Sequence, residues 1–267
     1  MPLYLNNTNL DDISEAISEA SVGIVNAYKN EANDEFEVVK PDLIAEALGE
    51  LIDIMYMVEI DQASCSLFSD MQLPLPNELV YNEDYRSLSQ EEISELGQHG
   101  ISLIQTLSEW ARSLHLSKEN QQLRAVSVIV ALWIARHGGQ LTSLDIVVDT
   151  LAQIANKTSD QQVLKELSSV MGELINAVHA DIKSADCGNQ AHEIWRILNI
   201  NRGIIAARTR DLKTIDSVFE QLSDTIPDQA AEYFESNLNI FKVLSDSAQA
   251  QRLLNRSIAN RKNRTLH

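Results

Sequence analysis

Glycine and proline are scarce in this 267-residue chain, at 9 and 5 respectively, and aromatic side chains make up only 5% of it. So few turn formers and strand-favouring rings argue against many short strands, and the abundant Ala, Leu, Ile, Glu and Gln argue for long helices. Two cysteines, Cys65 and Cys187, lie too far apart in sequence to suggest a framework of disulfides, which suits a reduced intracellular setting. The opening MPLYLNNTNLDD has no basic stretch followed by an apolar one, so no secretory signal is expected. The central apolar run, Ala125 to Ala135, is about half of the ~20 residues that a membrane span needs. A cytoplasmic protein without a membrane partner is therefore expected. Neither GxGxxG nor GxxxxGK occurs, and no cofactor is expected.

Basic charge is missing from the first third. Residues 1–99 hold 21 Asp or Glu against three basic residues, Lys29, Lys40 and Arg86, while the 18 acidic and 18 basic residues that follow cancel. The whole net charge of −18 thus sits in the first third. Phosphates would be repelled there, so nucleic acid is not an expected partner; a basic partner would be attracted, and a solvated acidic face is the plainer alternative.

The feature that organises the chain is AVSVIVALWIA, Ala125 to Ala135, whose single polar member is Ser127. A helix apolar all round has no face to give to water and belongs at the centre of a helical assembly. Before it, Ile13, Ile17, Ala20, Ile24 and Ala27 step by three and four along a first helix capped near Asp11 or Asp12. Pro41 suits the first turn of a second helix, with Leu43, Ala47, Leu48, Leu51, Ile52, Met55 and Val58 inward and Glu46, Glu50 and Asp53 outward, ending near residues 60–63. Residues 64–88, with Pro74 and Pro76, read as a connection.

From Ser89 the start signals are clearer. Ser89 with Glu92 forms a capping box, as do Ser159 with Gln162 and Thr225 with Asp228, and Ser117 is placed to cap the central helix that Gly138 and Gly139 end. One periodic helix is expected from Val163 through Ile182, others over 144–154, 194–205 and up to Leu222, and final helices over 229–244 and 247–258. The expected fold class is all-α, serial antiparallel helix pairs in an α-solenoid or a layered helical bundle. Its parts would be an acidic helical pair (1–63), a proline-containing connection (64–88), a helical-repeat domain (89–260) and a frayed basic tail (261–267).

Within that domain, Gly203, Asp211, Phe219 and Pro227 stand at the spacing of small residue, turn, aromatic and closing proline, so residues 196–229 resemble a degenerate tetratricopeptide repeat. Asn199 and Arg202 depart from the large aromatic and the leucine of that pattern, and Ile215 and Leu222 from its alanines. The resemblance covers about an eighth of the chain and implies helical-repeat packing with a groove that takes a peptide or protein.

Two sets of residues offer chemistry. His179, Asp181, Asp186, Cys187, His192 and Glu193 are the densest cluster of metal-ligand types, with His179, Cys187 and His192 the weak candidates; the spacing typical of a structural site is missing, and a helix end with a polar loop explains them as well. Arg196, Arg202, Arg208, Arg210 and Lys213 are offset locally only by Asp211, and a groove lined by them would select a carboxylate or an acidic peptide, unless they are solvated or paired internally. Asp11, Asp12 and Glu15 are similar to an aspartate-rich magnesium motif, but carboxylates in a first helical turn serve the helix dipole without further function. The expected function is that of a non-enzymatic helical-repeat module binding another protein through the pairs after residue 89. The alternatives are an all-α enzyme or ligand-binding protein with a site near residues 179–193, and an acidic mimic of nucleic acid.

Overall fold

The computed structural model describes residues 9–31, 39–70, 88–185 and 188–226. Their regular structure is entirely helical: α1 (Leu10–Glu31), α2 (Pro41–Asp70), α3 (Gln90–Ser113), α4 (Ser117–Arg136), α5 (Asp145–Lys157), α6 (Gln161–Ala177), α7 (Ala180–Ser184), α8 (Gln190–Arg208) and α9 (Leu212–Thr225). Two compact units divide between Leu141 and Thr142. The first joins α1 and α2, from before the proline-containing stretch, to α3 and α4 after it.

In the first unit α4 is the hub, packed against α3 and α1. Every residue from Ala125 to Ile134 is buried, because a helix without a polar face stays dry only with neighbours around it. Ser127 is accommodated by donating its hydroxyl to the Arg124 carbonyl at 2.7 Å. Its start differs from expectation. Ser117 is the first helical residue, Leu116 is the N-cap, and no side chain caps it. At the other end Gly138 takes φ 78°, the left-handed conformation that glycine adopts without strain.

Helix α1 follows its stripe closely, Leu10, Ile13, Ile17, Ala20 and Ile24 being buried. Helix α3 begins at the expected capping box, the Ser89 hydroxyl accepting from the Glu92 amide while the Glu92 carboxylate accepts from the Ser89 amide. Its buried face, however, holds Gly97 and Gly100 among Ile93, Ile101 and Ile104. A Cβ on Gly97 would stand 2.1 Å from Ile134 Cγ1 of α4, and one on Gly100 would stand 2.9 Å from Leu51 Cδ1 of α2. Two glycines thus let α3 approach a neighbour on either side.

In the second unit α8 is the hub, touching α5, α6, α7 and α9. The long periodic helix expected from Val163 to Ile182 is two helices. It stops at Ala177, Val178 has ψ 137°, and α7 restarts from His179. The cap of α6 is Asp160, which accepts from the Gln162 and Val163 amides; Ser159 with Gln162 is not a box. Thr225 ends α9 and donates to the Gln221 carbonyl. Asp228, Pro227, the final helices and the 261–267 tail lie outside the described residues. Helix α2 also departs from expectation: it runs on through residues 64–70 to Asp70, and only 71–87 of the expected connection lie outside the described residues.

Candidate functional site

Among the described residues the candidate metal ligands do not gather into a site. His179 is the N-cap of α7, and its Nδ1 accepts from the Asp181 amide at 3.2 Å, with the Asp181 carboxylate 3.6 Å away. An N-cap lies outside the helix, so its side chain can turn back on the first turn. His192 is buried on α8, its Nδ1 donating to the Ile182 carbonyl at 2.8 Å, which fixes the proton on that nitrogen. Glu193 is held by Arg196. Asp186 and Cys187 lie outside the described residues, and among the described residues no three ligand-type side chains gather.

The basic set is dispersed by internal contacts. Arg196 bonds both oxygens of Glu193 at 2.7 and 2.6 Å. Arg202 lies over Gly172 of α6, donates through Nε to the Ser168 carbonyl at 2.9 Å and reaches Gln221 of α9; burial pulls its pKa below the ordinary arginine value. Arg208 donates to the Ala155 and Thr158 carbonyls at 2.9 and 2.6 Å, closing the C-terminal end of α5. Arg210 is exposed in the left-handed turn after α8, at φ 53°, and Lys213 is exposed on α9. Three of the five are thus held by internal partners, and two face water. Asp211 caps α9: the Thr214 hydroxyl and amide and Lys165 at 3.5 Å hold its carboxyl below the usual range.

Among the acidic residues, Asp11 accepts the Tyr56 hydroxyl at 2.5 Å, tying the start of α1 to α2. That bond, with a smaller contribution from desolvation, pushes the tyrosine pKa up to about 12. Of the three residues similar to a magnesium motif, Asp11 thus serves an interhelical contact.

A different surface emerges on α2. Its buried face is Ile44, Leu48, Leu51, Ile52, Met55 and Val58, against α1 and α3. Leu43, expected inward, is 55% exposed; one residue of register puts Ile44 inward instead. Ile54, Met57 and Ile60 are 38%, 53% and 64% exposed. With Leu43, Glu46, Gly49, Glu50 and Asp53, all exposed, they form one outward face at helical spacing, about 25 Å long at 1.5 Å per residue. Its first half is carboxylate-rich and its second half apolar. The sequence signal is an α2 with apolar residues on all sides, where a surface helix has one stripe.

The fold and these placements define a class: an all-α protein of packed helices in which several titratable residues, among them Asp11, Arg202 and Arg208, join one helix to another. Compared with protein-family models, with curated proteins and with solved structures, the chain matches none. No helix among the described residues is long and apolar enough to cross a membrane.

Proposed function

We propose that the protein is a non-enzymatic helical module that binds another protein, and that α8 and α9 form a tetratricopeptide-like pair within it. The observation that carries the first part is where the exposed apolar side chains lie. Leu43, Ile54, Met57 and Ile60 lie on α2, with Val22 on α1 and Val39 just before α2, while beyond them only Ile197 and Leu212 are large and exposed among the described residues. Water-facing apolar groups gathered on one element are the usual mark of a contact surface. Mimicry of nucleic acid needs carboxylates alone and gives no reason for the apolar half of α2. The repeat reading is supported by Gly203 and Phe219, both buried, and by Asp211 capping the second helix of the pair.

The test is affinity capture from native extract with the 267-residue chain, followed by reconstitution of any retained protein as a purified binary complex. A complex of fixed stoichiometry is the expected result. Retention of no protein at low salt would overturn the module reading.

A further inference from the structure

Resting on that reading and deepening it, we propose that the outward face of α2 from Leu43 to Ile60 is the docking site, and that its occupant is a cationic amphipathic helix of a partner protein. Three features of the face select that occupant. Ile54 and Met57, one turn apart and exposed, supply an apolar contact of the kind a helix lays into a neighbour at i and i+3 spacing. Glu46, Glu50 and Asp53 lie along the same side one turn earlier, and no Lys or Arg occurs between Asp42 and Ile60, so the field over the face is uniformly negative. Gly49 sits on this face inside a 30-residue helix, more than two turns from its start, and a Cβ there would meet nothing within 4 Å. Among the described residues neither a turn nor any packing explains a glycine at that point, whereas close approach of a second helix backbone does.

Charge decides between occupants. A second copy would bring Asp42, Glu46, Glu50 and Asp53 against their own counterparts while each chain carries −18, so self-association through this face is opposed. An anionic lipid surface is repelled for the same reason. A helix with apolar residues at i, i+3, i+4 and i+7 and Lys or Arg flanking them satisfies both halves of the face.

The probe is a designed 18-residue peptide of leucine, lysine and alanine with leucines at that spacing, compared by fluorescence anisotropy at about 0.15 M salt with a scrambled peptide of equal charge. The expected result is binding about tenfold or more tighter than the scramble, lost about tenfold in Ile54→Ser/Met57→Ser and again in Glu50→Gln/Asp53→Asn, with Gly49→Leu also weakened. All three sites are exposed, and circular dichroism of each variant checks that the fold is retained. Equal affinity for the scramble, affinity unchanged by the variants, or sedimentation of the protein as a dimer broken by Ile54→Ser/Met57→Ser would each overturn the proposal. Should the captured partner bind all variants equally, the docking site falls and the module reading stands.

Discussion

One substitution, glycine to alanine, is expected to act with opposite sign at two helical positions of the first unit. At Gly49 a new methyl group meets nothing within 4 Å, so only the backbone matters. Alanine restricts the unfolded chain and favours the helix, and Gly49→Ala should stabilise the unit by about 1 kcal/mol. At Gly97 the same gain is available, but the new Cβ would stand 2.1 Å from Ile134 Cγ1 and 2.4 Å from Cδ1. Ile134 has little room to retreat, since it is fully buried and packs so close to Gly139 that a Cβ there would also stand only 2.8 Å from its Cγ2. Overpacking of this kind costs about 1–3 kcal/mol, and with Ile134 hemmed in on two sides the upper end applies, so that Gly97→Ala should destabilise by about 2 kcal/mol net of the propensity gain. Shortening Ile134 isolates the cause. Ile134→Ala alone leaves a cavity and should cost about 3 kcal/mol. It also leaves the Ile134 Cβ, at 3.5 Å, as the nearest atom to a Cβ at position 97, an ordinary contact. In that background Gly97→Ala should therefore stabilise by about 1 kcal/mol, a sign reversal worth about 3 kcal/mol of coupling. Urea unfolding followed by circular dichroism, run on the four proteins of the cycle and on Gly49→Ala, measures all of these. If Gly97→Ala is as benign as Gly49→Ala, or remains equally harmful after Ile134→Ala, the close approach of α3 to α4 is not what the glycine is for.

Further outcomes follow from individual contacts. The Tyr56 proton is held more tightly when the protein is folded, so its hydrogen bond to Asp11 stabilises fully below pH 10 and is lost as the pH rises from about 10 to about 12; tyrosinate absorbance should show a late step that Tyr56→Phe removes. For Asp211 the sign is opposite, since its lowered pKa makes its contribution present above the ordinary aspartate value and lost as pH falls through the folded value; Asp211→Asn should flatten that part of the acid-unfolding curve. Arg208→Met removes two charged donors from the Ala155 and Thr158 carbonyls and should cost about 2 kcal/mol in thermal or urea unfolding, with no recovery on adding phosphate, as an anion-binding role would require. Arg210 occupies the left-handed region at φ 53°, and Arg210→Gly should raise stability by about 1 kcal/mol; a loss would mean that the side chain makes a contact that matters.

Much of the helical framework was legible in the residues themselves, because helix formation and its caps depend on neighbours a turn away. The stretch from Ala125 to Ile134, apolar but for Ser127, the box at Ser89 and Glu92, the stripe of α1 and the turn at Asp211 are local signals, and each stands in the structure. The sequence failed where two local solutions compete. Asp160 and Ser159 both offer a cap to α6, and a Val178 that fits the apolar period of α6 is instead the point where the helix breaks. What only the tertiary structure decided concerns partners distant in sequence: that Gly97 and Gly100 are contact residues, invisible to any count of apolar side chains; that Arg202 and Arg208 turn to carbonyls more than 30 residues away; and that of the apolar residues around α2 one set is covered by α1 and α3 while Leu43, Ile54 and Met57 are left to water. Periodicity reports which residues share a face of one helix. Whether a second helix arrives at that face is settled by packing across the whole unit, and that is where the candidate docking surface of this protein was found.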